Sequence, residues 1–277
     1  KKHTHNWSTT LSKDKATITL TCSNDDGNCP LGGDGGSVTL KAPAHTVYGD
    51  GEAANVTFEE TDWAVVPNDS RDVRYWKGTI SDETYLGIGD ESAPTDAGTY
   101  IAKYAFSGVE AQITYTIAKA PLTIKANDAT TVYGEAAVTN GVTCTGFVNS
   151  EDENAFLASL TYSFSYTRGS DTGLYIITPA GQISDNYDVT VTHGTLTVAP
   201  REVTLTWYNY ENRTYGDGKY VGATAGNLLE TDVGKVQVNV IGNGAQVSGK
   251  YTATAIKLIG YEAHNYKLPT TGLEQEY

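Results

Sequence analysis

The stretch A-P-L-T-I-K-A-N-D-A-T-T-V-Y-G-E, residues 120–135, decides the fold. Leu122, Ile124 and Ala126 alternate with polar residues, the period of a strand with one buried face. Asn127-Asp128 breaks the strand, and Tyr133-Gly134-Glu135 ends the stretch in a turn. There glycine supplies a positive φ and the acid can bond back to nearby amides. The pattern recurs upstream as T-L-K-A-P-A-H-T-V-Y-G-D, ending at Asp50. It recurs downstream as A-P-R-E-V-T-L-T-W-Y-N-Y-E-N-R-T-Y-G-D, ending at Asp217.

Two markers set the period. Tyr-Gly-acidic starts at Tyr48, Tyr133 and Tyr215, spaced 133 − 48 = 85 and 215 − 133 = 82. A Gly-x-Tyr follows at Gly98–Tyr100, Gly173–Tyr175 and Gly249–Tyr251, its tyrosines spaced 75 and 76. Two independent markers of nearly equal period predict tandem modules. These are an N-terminal β-hairpin segment (1–44) and repeat modules at 45–120, 121–200 and 201–277. Ala120-Pro121 and Ala199-Pro200 mark the seams, since proline cannot donate to a strand ladder. Such short linkers predict a semi-rigid array. The first module is longer between its markers, which places an insertion at Trp63–Trp76.

Within the second module, strands are expected at Leu122–Ala126, Val142–Val148, Thr161–Tyr166, Leu174–Thr178, Tyr187–Val191 and Thr195–Val198. Ser150 and Glu153 form a capping-box pattern, predicting one short helix over about 151–158 with Phe156 and Leu157 buried. A weaker helix signal lies at Asn227–Glu230. The fold class is therefore mainly β: tandem small β-rich modules, β-grasp-like with one short helix. The alternative is an immunoglobulin-like β-sandwich, because Asp96-Ala-Gly-Thr-Tyr100 and Asp171-Thr-Gly-Leu-Tyr175 look like a tyrosine corner.

The 33 acidic against 19 basic side chains, formal charge −14, argue against nucleic acid as a partner. No apolar run approaches the ~20 residues that span a bilayer, and Lys1–Trp7 is not a signal peptide. The chain reads as an internal fragment of a larger protein. No nucleophile, zinc-protease, P-loop or dinucleotide fingerprint is present, so no catalysis is expected. His3, His5, Cys22 and Cys29 have three readings: a Cys22–Cys29 disulfide, free thiols, or a zinc site. Cys144 is expected as a buried free thiol. Trp63, Tyr75 and Trp76 are the candidates for a ligand-binding aromatic row, with core packing as the rival reading. Leu268-Pro-Thr-Thr-Gly272 matches the L-P-x-T-G sorting pattern, but no apolar segment follows it. Alignment with Asn186-Tyr187 reads it as the last hairpin.

Residues 120–135, followed by D-x-G-x-Y and N-Y-D-V-T-V-T-H-G-T-L-T-V, resemble MBG-type modules of the YG-x class. The likeness covers the second module, most of the third, and only the Tyr-Gly-Asp and Gly-x-Tyr ends of the first. Such modules repeat in secreted and cell-wall proteins of bacteria, often gut species. The resemblance implies an extracellular adhesin or stalk role with host or cell-wall glycans or proteins as partners. A carbohydrate- or mucin-binding appendage of a larger secreted enzyme is the alternative. It carries over no catalytic residue.

Overall fold

The computed structural model describes residues 6–23, 34–44, 46–50, 53–61, 72–79, 88–106, 108–155, 157–214, 216–242, 244 and 249–277. Among these, every long element is a strand and helix is confined to 3-10 turns. The chain forms two compact units. One comprises Lys1–Thr123, Cys144–Ala158 and Gln182–Thr190; the other comprises Ile124–Thr143, Ser159–Gly181 and Val191–Tyr277. The division runs through the second repeat, whereas the sequence repeats run end to end.

In the first unit, β1 (Trp7–Leu11), β2 (Thr17–Cys22), β3 (Asp34–Lys41) and β4 (Thr57–Thr61) form one antiparallel sheet in that order. A hairpin alone is marginal in water; here β3 pairs with β4 of the first repeat, and β1 adds a strand that the W-S-T-T-L pattern does not announce. A second antiparallel sheet runs β5 (Val73–Lys77), β6 (Gly98–Phe106), β7 (Val109–Ile117). Ile18, Leu20, Val38 and Leu40 alternate inward, as do Tyr100, Ala102 and Tyr104. Phe58 of β4 meets Tyr104 of β6 edge-on at 5.2 Å, so the two sheets share a core.

The second repeat contributes β8 (Ala120–Ala126), β9 (Ala129–Val132), β10 (Val142–Thr145), β11 (Thr161–Phe164), β12 (Gly173–Ala180), β13 (Tyr187–Thr192) and β14 (Gly194–Ala199). Leu122, Ile124 and Ala126 are buried, as their alternation requires. The strands form two sheets, ordered β10-β8-β13 and β11-β12-β14-β9. The third repeat supplies β15 (Arg201–Glu202), β16 (Thr204–Tyr208), β17 (Gly222–Gly226), β18 (Gln237–Ile241), β19 (Thr252–Ile259), β20 (Tyr266–Lys267) and β21 (Glu274–Glu276). Its sheets β15-β20, β16-β17 and β18-β19-β21 follow a similar plan, with no counterpart of β9 among the described residues. The core of the second unit gathers Tyr133, Tyr166, Ile177, Leu196, Val198, Val203 and Tyr266.

The expected helix at 151–158 does not form. Two 3-10 turns, Glu153–Ala155 and Leu157–Ser159, stand in its place. Ser150 has φ +61°, and an N-cap needs extended backbone, so the capping box cannot close. Phe156 and the side chain of Leu157 lie outside the described residues. The weaker signal near Asn227 becomes the turn Glu230–Asp232. A β-grasp unit needs a helix for its sheet to wrap, and no α-helix is present among the described residues. Leu268–Gly272 is not a hairpin: it links β20 to β21, which lie in different sheets.

Candidate functional site

The three Tyr-Gly-acidic turns close alike. The acidic residue's N–H donates to the carbonyl of the residue before tyrosine: Asp50 to Val47, Glu135 to Val132 and Asp217 to Thr214. The glycines sit at φ +85°, +83° and +77°, the left-handed region that a non-glycine residue enters only at a cost. The Gly-x-Tyr motif is structural too. The Tyr100 hydroxyl donates to the Asp96 carbonyl at 3.0 Å, and Tyr175 to Asp171 at 2.7 Å. This is the back-bond of a tyrosine corner.

What the sequence does not announce is that each of the first two turns is clasped by the following repeat. In the first unit, Tyr48 and Tyr187 both donate their hydroxyls to the Glu151 carboxylate, Tyr187 at 2.7 Å. The two rings meet edge-on at 5.5 Å. The Val148 N–H donates to the Tyr187 oxygen, and the Val148 side chain presses on Gly49 so closely that a Cβ there would lie 2.1 Å from it. Beside this, Asn186 accepts from the Ala97 N–H at 2.9 Å and donates to the Asp96 carboxylate at 3.0 Å.

The second unit builds the same clasp from different residues. Tyr133 and Tyr266 donate to Asp232 at 3.0 and 2.8 Å, with their rings edge-on at 5.4 Å. The Leu229 N–H donates to the Tyr266 oxygen, and Leu229 packs on Gly134, 2.6 Å from where a Cβ would sit. Asn265 accepts from the Thr172 N–H and donates to the Asp171 carboxylate, both at 2.8 Å. Asp232 is 2% exposed and Asn265 0%. Arg201 adds a clamp, donating to the Tyr133 carbonyl and pairing with Glu135.

The phenols respond to these surroundings. The Glu151 hydrogen bond raises the Tyr48 phenol. Burial, then Glu151, pushes Tyr187 up to about 12. Burial pushes Tyr266 up to about 12; the Leu229 N–H works against that rise and Asp232 adds to it. Burial and then Asp232 raise Tyr133 further still. A phenol shifted in this direction stays protonated at neutral pH and keeps donating, so the clasp is a fixed polar joint rather than a base or nucleophile.

The clasp acids Glu151 and Asp232 lie 103 and 99 positions from Tyr48 and Tyr133, the turn tyrosines they bind. No local pattern reveals them. The one signal available is their shared place three residues after the apolar Val148 or Leu229, ahead of a recurring Asn-Tyr pair.

Of the expected ligand residues, the described two do not share a face. Tyr75 is buried in β5 and Trp76, the next residue, points to the opposite face. Lys103 lies 5.3 Å from the Trp76 ring centroid, and a Cβ on Gly89 would lie 2.7 Å from that ring. The end of the expected insertion is thus a core strand, because β5 pairs along its length with β6. Trp63 lies outside the described residues, as do His3, His5 and Cys29. Cys22 is buried at the end of β2. Cys144 is a free, half-buried thiol in β10. Asp171, Glu262 and His264 bring ligating atoms within 4.8 Å of one another. The Asn265 amide already donates to both carboxylates, so these groups serve the second clasp.

Fold and clasps together define small all-β repeats in which residues of the second hold the turn of the first, and residues of the third hold the turn of the second. Residues 122–197 match the family model of the MBG domain of the YGX type, so the central repeat is an MBG module. Among curated proteins, no match to the chain was found.

Proposed function

We propose that this chain is a non-catalytic adhesin or stalk segment of an extracellular bacterial surface protein. The carrying observation is the clasp, built twice from non-identical residues. A turn consumed by the next repeat serves the joining of repeats, which is what a spacer needs from its modules. The match of the central repeat to the MBG domain supports the same reading. Antibodies against the chain, applied to intact cells of the producing bacterium, test it. Labelling without lysis is expected; signal only after lysis overturns it.

One observation favours a second reading, a carbohydrate-binding appendage of a secreted enzyme. A groove of about 610 Å³ opens in the third repeat, lined by Tyr208, Thr224, Gly226, Val233, Gln237 and Val238. Its size is that of small-ligand clefts. Glycan-array retention that is lost on Tyr208→Ala supports this reading; no retention on any glycan rejects it.

A further inference from the structure

We infer that the opening and closing segments of the first two repeats form a clamp that resists tension along the chain. The inference takes its biological meaning from the stalk reading but rests on strand geometry. In the second repeat, β9 and β14 run parallel and in register, Ala129 opposite Leu196 through Val132 opposite Ala199. The Tyr133 N–H extends the ladder to the Ala199 carbonyl at 2.9 Å. Upstream, β8 lies beside β13, and the Ala120 N–H donates to the Asn186 carbonyl at 2.9 Å. The first repeat pairs Val47 with Ala118 in parallel, with bonds on both sides of Ala118. In the third repeat the parallel pair, β15 with β20, is the counterpart of β8 beside β13, and the closing strand β21 pairs with β19 instead.

Tension enters a repeat at the start of its opening segment and leaves at the end of its closing one. Two parallel neighbours pulled that way slide along each other. Every bond of the ladder is then loaded at once and must fail together. Pulled across the pair, the same bonds open one after another. Forced unfolding is governed by the barrier along the pulling direction, not by overall stability.

The test is single-molecule force spectroscopy on the whole chain, held first by handles at its two ends. Handles at the exposed positions Lys125 and Thr192 then pull the same protein across the clamp. The end-to-end geometry should show an event releasing about 240 Å, from 199 − 129 = 70 residues at about 3.4 Å each. Its force should be at least about twofold higher than the transverse force. Two variants sharpen the result. Because the Tyr133 amide faces β14, the Thr131 amide does as well, and that of Thr130 faces away. Thr131→Pro removes a ladder bond and should lower the end-to-end force; Thr130→Pro should leave it close to wild type. Equal forces along the two axes, or equal losses from the two prolines, would overturn the clamp. The labelling of intact cells answers the stalk reading separately.

Discussion

Replacing Asp232 by alanine is the sharpest test of the clasp. The carboxylate is almost completely buried and accepts three hydroxyls: Tyr133 at 3.0 Å, Tyr266 at 2.8 Å and Thr231 at 3.0 Å. Hydrogen bonds to a charged group contribute about 1.5–3 kcal/mol each, and a buried donor left without a partner bears its full desolvation cost. Two stranded phenols therefore imply a loss of about 3–5 kcal/mol. Tyr133→Phe, which removes one donor and leaves the acid with its other partners, should cost about 1–2 kcal/mol. The assay is urea unfolding followed by tryptophan fluorescence, to which Trp207 in β16 contributes beside the chain's three other tryptophans, with hydrogen exchange locating the loosened segment. Exchange should rise at Tyr133–Glu135 and at Leu229–Asp232 together. In a double-mutant cycle, Tyr133→Phe should cost much less once Asp232 is alanine. A loss under about 1 kcal/mol, or strict additivity in the cycle, refutes the clasp as a stabilising joint.

Three further outcomes follow from the same geometry. Gly216→Ala should cost about 1–2 kcal/mol, the price of the left-handed backbone, because the space around Gly216 is open. Gly49→Ala and Gly134→Ala must also displace Val148 or Leu229 and should cost visibly more in thermal melts; three equal losses would contradict the close approach. Asn265→Ala, stripping a fully buried amide of bonds to Thr172, Asp171 and Glu262, should destabilise more than Asn186→Ala, whose side chain is half-buried. Denaturant midpoints of the two variants decide this. Finally, the clasp phenols have pKa values raised above the unfolded value near 10. Their stabilising contribution is complete below pH 10 and is lost as pH rises through about 12. Tyrosine absorbance should show a late-titrating group whose ionisation coincides with unfolding; titration of every tyrosine near pH 10 in the folded protein would rule this out.

The sequence alone determined the repeats, their phase and most of their strands. These depend on short-range chemistry: alternation in Leu122–Ala126, glycine at a positive φ in Gly134, a tyrosine returning to the carbonyl four residues earlier in Tyr175. It also carried the central repeat's kinship, since residues 122–197 hold the pattern that the MBG domain model matches. It misjudged 151–158, where a capping-box pattern was outweighed by the left-handed backbone at Ser150. It placed Tyr75 and Trp76 in an insertion, where the fold has a strand paired with β6, because no alternation rule tells an insertion from an extra core strand.

Only the tertiary structure decided what the turns are for. Tyr133 and Asp232 lie 99 positions apart. Nothing in either residue's neighbourhood encodes the other, since a buried acid finds its donors through packing, not through spacing along the chain. The same holds for the parallel pairing of opening and closing strands. Their alternation predicts strands, but which neighbours they take, and in which direction, is set when the sheets close.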